Sequence, residues 1–333
     1  MKTFLVVTSI SAPNPVLATL AREGEARGIP LLVIGDVASP REFHLPGCRH
    51  YSLAQQKTAG FALAPICPER HYARKNLGYL LAWREGAEVI VETDDDNMPL
   101  ADFWSPRQRL MRVPISEDRG WVNVYRYFQE GLVWPRGLPL TRVRELPSPR
   151  EELPTALADC VIQQGLANDN PDVDAVYRLL LPLPVVFADR EPVALGRGSW
   201  SPFNSQNTTW FRAAFPLLYL PAFCSFRMTD IWRSLVAQRI AWENDWSVLY
   251  HRATVVQDRN EHDLHRDFEQ EIPGYLFNER MAEELAALKL EPGEANLGEN
   301  LGRCYDRLVT LGWIGPGELP LLAAWIEDIG SLG

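Results

Sequence analysis

The sequence predicts an α/β protein built around a parallel sheet. Two observations predict it: β-branched apolar runs alternate with helical patterns through the first hundred residues, and one such run ends in three consecutive carboxylates. In order, a strand is expected at 4–8, a helix at 15–27, a strand at 31–35, a helix at 72–85 and a strand at 88–93. This βαβ order makes neighbouring strands parallel, and open α/β sheets bind ligands outside the carboxyl ends of their strands. Gly35-Asp36 closes the second strand, and Asp94, Asp95 and Asp96 close the last. Both acidic features are therefore expected to face one crevice.

Residues 98–200 are richer in Pro, Arg and Trp, with short strands expected at 121–127 and 185–188 and a loop at 135–153. This stretch reads as the half that shapes the substrate. Ile231, Leu235, Val236 and Ile240 recur at helical spacing within 228–246, and 247–256 reads as a strand. From about residue 279, two or three amphipathic helices are divided by Pro292-Gly293 and Gly315-Pro316-Gly317.

With 333 residues, 46% of them hydrophobic, and 11 Trp, the chain can bury a sizeable core. Its 43 acidic and 33 basic side chains give a net charge of −10, which argues against general binding to nucleic acid. Cys48, Cys67, Cys160, Cys224 and Cys304 are widely spaced, without a C-x-x-C pair. They indicate neither a disulfide framework nor a thiolate zinc site, and they fit a reducing, cytoplasmic location. The amino terminus reads as a first strand rather than a leader, and no window approaches the roughly 18 apolar residues of a membrane span.

In Val89-Ile90-Val91-Glu92-Thr93-Asp94-Asp95-Asp96-Asn97, like charges at a strand end raise one another's pKa unless a cation sits among them. A divalent metal is the chemical reading, and oxygen-only ligands point to Mg²⁺ or Mn²⁺ shared with a phosphate. A solvated acidic turn is the competing one. Just upstream, Arg74, Gly78 and Ala82 share a helix face, which suits either a pyrophosphate or close helix-on-sheet packing. Asp36 is placed to bond a ribose or base edge, or to cap a turn. Asp230 opens a helix, as an N-cap or as a general base facing the crevice. His262 and His265 follow a strand, where either could complete a metal shell or be structural.

Taken together and in order, five segments resemble the STELLO-type (DUF288) glycosyltransferase-like family: Leu5-Val6-Val7-Thr8-Ser9, Val33-Ile34-Gly35-Asp36-Val37-Ala38-Ser39-Pro40, Arg74-Lys75-Asn76-Leu77-Gly78-Tyr79-Leu80, Glu92-Thr93-Asp94-Asp95-Asp96-Asn97-Met98-Pro99 and Pro202-Phe203-Asn204-Ser205-Gln206-Asn207-Thr208. Arg227-Met228-Thr229-Asp230-Ile231-Trp232-Arg233-Ser234 and Ala237-Gln238-Arg239 continue the likeness, which covers about residues 3–275 and leaves the tail outside. A weaker likeness joins the reversibly glycosylated polypeptides, which include UDP-arabinopyranose mutases. It rests on the Asp triplet, Pro135-Arg136-Gly137-Leu138-Pro139 and Gly165-Leu166-Ala167-Asn168-Asp169-Asn170-Pro171-Asp172-Val173-Asp174-Ala175.

The resemblance implies a GT-A-like, Rossmann-like mixed central sheet flanked by helices. A catalytic domain would span 1–275, with a nucleotide-binding half at 1–100 and an acceptor half at 101–275, followed by a helical extension at 276–333. It also implies a nucleotide-sugar donor, a UDP-sugar, with Mn²⁺ or Mg²⁺ held by Asp94, Asp96 and His262. Asp95 would lie nearer the ribose, and Asp36 on the base or ribose side. Arg74 and Lys75, with Gly78, would serve the nucleotide or diphosphate, joined on the donor by Asn204, Gln206 and Arg227. Asp230 would deprotonate the acceptor if the enzyme inverts, and Arg136 matches an arginine that matters in the mutases. A nucleotide-sugar mutase and a non-catalytic nucleotide-sugar-binding scaffold are the alternative functions.

Overall fold

The computed structural model of the protein describes residues 1–258 and 263–333. Its first half holds the five expected elements and two that were not expected, β3 and α2: β1 (Thr3–Thr8), α1 (Pro15–Ala26), β2 (Leu31–Ile34), β3 (Cys48–Tyr51), α2 (Leu53–Lys57), α3 (Lys75–Arg84) and β4 (Val89–Thr93). These strands pair in parallel, with β1 between β2 and β4. Asn14 starts α1 by accepting from Leu17 N at 2.8 Å, and Pro15 at the first helical position carries a φ already suited to the helix. Helix α1 then buries Val16, Leu17, Leu20 and Ala21 against one sheet face.

The opposite face carries the main core and α3, which is buried along Lys75 to Trp83. A Cβ added at Gly78 would stand 2.6 Å from Val6 Cγ1 and 2.8 Å from Ile34 Cγ1. Both lie far inside van der Waals contact, so Gly78 lets α3 press onto β1 and β2. Gly78 thus has the helix-on-sheet packing that was one of the two expectations for it.

The second half adds β5 (Asn97–Pro99), β6 (Leu110–Ser116), β7 (Gly120–Trp121), β8 (Thr155–Asn168), α4 (Ala175–Leu180), β9 (Val193–Leu195), β10 (Ser199–Trp200), β11 (Asn207–Phe211), α5 (Thr229–Glu243), β12 (Trp246–Gln257), α6 (Leu264–Ala286), α7 (Leu297–Thr310) and α8 (Glu318–Leu332). Among the described residues, ten strands form one sheet in the order β3-β2-β1-β4-β11-β8-β6-β9-β12-β5, with β8 also paired to β12. Antiparallel β11 between β4 and β8 turns the parallel sheet into a mixed one. The protein is thus a mixed α/β fold, a large sheet flanked by helices.

The strand expected at 121–127 is interrupted. Gly120–Trp121 pairs with β10, and Val124–Tyr127 winds into a 3₁₀ turn after Asn123, whose amide is held by Val133 O at 2.8 Å. At 185–188 only Val185 pairs, in one bridge to Asp169. The tail helices are built into the main core through Leu301, Tyr305, Leu308, Leu322 and Trp325. They also hold loops: Glu318 accepts from Ala222 N and Phe223 N at 2.9 and 2.7 Å, and Asp328 from Ala62 N and Leu63 N at 2.7 and 2.9 Å. Among the described residues no helix is long and apolar enough to cross a membrane.

Candidate functional site

Strand β4 sends Glu92 and Asp94 to the same face, since side chains alternate along a strand. Glu92 is fully buried, and three side chains donate four hydrogen bonds to it. Arg233 donates two, at 2.8 and 2.9 Å, Trp210 Nε1 one at 2.8 Å, and the Tyr79 hydroxyl closes the cage. That cage anchors β4 to α3, β11 and α5 immediately before the carboxylate triplet.

Beyond it the three carboxylates diverge. Burial pushes the Asp94 pKa up, and Lys75 and Tyr72 partly offset this. Tyr72 OH donates to Asp94 Oδ1 at 2.8 Å and Lys75 Nζ approaches the same oxygen at 3.1 Å. Lys75 also bonds Thr93 O at 2.9 Å and Ser205 O at 3.2 Å, so this buried ammonium is committed to fastening α3 beneath the triplet. That corrects its expected place at the nucleotide. Asp95 Oδ2 accepts from Ser9 Oγ at 2.5 Å, and its carbonyl accepts from Asn14 Nδ2 at 2.8 Å. Both Asp96 oxygens lie near Gln257 Nε2, at 3.3 and 3.2 Å.

The triplet borders a cavity of about 610 Å³ at the carboxyl ends of β1, β2 and β4, facing the start of α5. Asp36, Arg74, Arg136, Gln206, Arg227 and Asp230 also line it. Asp36 braces two loops, accepting from Val37 N at 2.7 Å and His71 N at 3.0 Å. Arg74, only 1% exposed, donates through Nε to Gln56 and through Nη1 to Cys67 O, at 2.7 and 3.0 Å. Its Nη2 is buried with no partner among the described residues, an unsatisfied donor in a residue that lines the cavity.

Arg136 bridges two carboxylates. It bonds Asp172 at 2.8 Å through both Nε and Nη2, and Asp230 through Nη2 at 3.0 and 2.9 Å. Burial works against its charge, but Asp172 and Asp230 outweigh that and hold its pKa well above the usual arginine range. Ser205 N and Oγ also donate to Asp230, each at 3.3 Å. The N-cap position of α5 belongs to Met228, so Asp230 is a first-turn residue whose carboxylate turns to the cavity.

Arg227 is held by Glu271 at 3.0 and 2.8 Å. Asn204 sits beneath the wall rather than on it. Its Oδ1 accepts from Gln206 N at 3.0 Å and shapes the turn that presents Gln206. His262 lies outside the described residues, and the His265 side chain is 92% exposed. Sequence reasoning passed over Ser9, Tyr72, Ser205 and Gln257 as partners of the acids. Asp172 was legible only as part of the 165–175 segment, which the fold brings against Arg136.

The donor set is hard oxygen chemistry, suited to Mg²⁺ or Mn²⁺. Among the described residues no three His, Cys, Asp or Glu side chains converge on one point. An all-protein cage is therefore a poor fit, whereas a cation that takes one or two carboxylates and completes its shell with phosphate oxygens and water fits these residues.

Residues 227–333 match the sequence model of the STELLO glycosyltransferases, so the family likeness reaches through the tail helices, beyond the expected limit near 275. The chain is 29% identical over 352 residues to the Arabidopsis thaliana protein called Probable glycosyltransferase STELLO1, covering 99% of this chain and 44% of that protein. With Probable glycosyltransferase STELLO2 of the same plant it shares 31% identity over 358 residues, covering 99% and 45%. The chain thus spans less than half the length of these curated relatives. Among solved structures, a mycobacterial protein at 10% identity matches 84% of this chain and 75% of its own with a TM-score of 0.42, too low to carry an argument.

Proposed function

The chain belongs to the STELLO glycosyltransferase family, and on that premise we propose that it moves a sugar from a UDP-sugar to an acceptor hydroxyl in the cavity beside Asp94, Asp95 and Asp96. One observation carries the reading: a single cavity wall joins the triplet, an arginine with an unused buried donor, and a carboxylate set against a guanidinium. In this reading the arrangement is GT-A-like, with the nucleotide at the carboxyl ends of β1, β2 and β4.

Asp36 and Arg74 hold the nucleotide in this scheme, and Asp95 faces the ribose from its bond to Ser9. Asp94 and Asp96 hold Mn²⁺ or Mg²⁺, which when bound offsets charge on the departing diphosphate. Asp230 takes the acceptor proton at a carboxylate oxygen as the hydroxyl attacks the anomeric carbon. Arg136 keeps that carboxylate oriented, and Asp172 keeps Arg136 paired while Asp230 is protonated.

Asp96→Ala is expected to abolish metal-dependent UDP binding while leaving the thermal unfolding midpoint near that of the parent. Calorimetry with and without Mn²⁺ reads this directly, and an unchanged metal dependence defeats the metal assignment. For the nucleotide, Asp36→Ala and Arg74→Ala should each cost about 1.5–3 kcal/mol of UDP binding, the contribution of a charged hydrogen bond. Parental affinity in both variants would mean the nucleotide sits elsewhere.

A second reading, a nucleotide-sugar mutase, is favoured by one contact. The bond from Arg136 to Asp172 joins the two segments that resemble the reversibly glycosylated polypeptides. Incubation with UDP-sugars alone separates the readings, because a mutase forms a new UDP-sugar without an acceptor.

A further inference from the structure

The sheet face opposite α5 carries a second cleft. Along β12, Tyr250 points into the main core, where its hydroxyl bonds Ser201 O at 2.8 Å, so its neighbours Leu249 and His251 face the other way. Leu249 joins Val113, Ala158, Cys160 and Ala194 in a small apolar cluster. Beside it lies a cleft of about 860 Å³ that shares no lining residue with the first cavity. Such a volume falls in the range of about 300–1,000 Å³ typical of small-molecule sites.

The charges along this cleft are not matched. Arg252 takes up two aspartates, Asp102 at 2.9 Å and Asp189 at 2.5 Å. Arg107 and Arg150 make no ion pair among the described residues. Arg107 reaches only the Asp102 carbonyl, at 3.4 Å. Arg150 rests Nη2 on the carbonyls of Glu191 and Pro192, while its Nη1 is buried without a hydrogen-bond partner among the described residues. Burial pushes the Arg107 pKa down to about 10 and lowers that of Arg150, where the nearby charge of Arg190 adds repulsion. Asp102 near Arg107 and Glu191 near Arg150 offset part of this but form no ion pair with them among the described residues, and cations drawn from water with so little compensation favour an anion in the same space.

His251 contributes a different group. Its Nδ1 lies 3.0 Å from the Arg252 carbonyl, which assigns the proton to Nδ1 and leaves Nε2 as an acceptor. Burial, with Arg107 close by, pushes its pKa down to about 3, so the ring is neutral. A neutral acceptor suits a hydroxyl. We infer that this cleft binds a polyhydroxylated small molecule bearing an oxyanion, a phosphate or a carboxylate, with Arg107 and Arg150 as its counter-charges and His251 Nε2 accepting from a hydroxyl.

The site stands independently of the transferase reading. Titration calorimetry of the full chain with glucose 6-phosphate, glucuronate and glucose tests it. One or both charged sugars should bind and glucose should not, and an Arg107→Gln, Arg150→Gln double variant should lose at least about tenfold in affinity for the sugar that binds. An unchanged thermal midpoint shows that the variant is folded; if it is not, the half-buried Arg107→Gln alone carries the comparison. Binding of glucose 6-phosphate alone identifies phosphate as the anion, and binding of glucuronate alone identifies carboxylate. Failure of both charged sugars to bind, equal binding of glucose, or undiminished affinity in the folded variant overturns the inference.

Discussion

Asp230→Asn is expected to lower sugar transfer by about 10²–10⁴-fold, the range for loss of a general base, while UDP affinity stays at the parental value. The substitution keeps the shape of the side chain and removes its charge and basicity. The fold should tolerate it, because Arg136 retains Asp172 at 2.8 Å through both Nε and Nη2 and is not left as an unpaired buried cation. Asp230 shares no hydrogen-bond partner with Asp36 or Arg74 among the described residues, so loss of its charge should spare nucleotide binding. Calorimetry with UDP and a transfer assay on the same preparation separate the two effects. Parental transfer by the variant, or a crystal structure with UDP and Mn²⁺ in which Asp230 lies far from the anomeric carbon, would remove it from the chemistry.

The parts of this arrangement that sequence made legible are those written in local pattern. A five-residue strand that opens on Val89-Ile90-Val91 and runs into three carboxylates marks β4 and its carboxyl end, and periodicity marks α1, α3 and α5. Strand β8 was not legible, because its buried run contains Gln163, Gln164 and Gly165. The Gln164 amide is satisfied inside the sheet, with Oε1 accepting from Asn204 N at 2.9 Å and Nε2 donating to Asn207 O at 3.2 Å, so polarity there does not signal exposure. Gly78 shows the converse limit. A small residue beside a cation reads as a phosphate cradle or as a packing site, and only the position of Val6 and Ile34 shows that it serves packing. Partners such as Tyr72 and Ser205 lie 133 residues apart in sequence and meet at 2.7 Å, a proximity that no local pattern encodes.

Glu92→Ala is expected to destabilise the protein by about 3–5 kcal/mol, the cost of leaving one member of a buried ion pair alone. Arg233 is only 1% exposed and would keep its charge without its bonded carboxylate, with Asp230 acting on it only through space, while the Trp210 and Tyr79 donors would also lose their acceptor. Against a typical domain stability of about 5–15 kcal/mol, this is a large fraction. Because Glu92 precedes Asp94 by one pleat, the damage should also reach the triplet and weaken UDP binding in whatever fraction remains folded. Glu92→Leu combined with Arg233→Met should cost less than either single change, since a neutral pair of similar volume leaves no stranded charge. Urea unfolding of Glu92→Ala, Glu92→Leu, Arg233→Met and the double variant makes the comparison. A Glu92→Ala loss below about 1 kcal/mol, the net worth of an ordinary hydrogen bond, would mean that water reaches Arg233 and that the cage does not hold β4 in place.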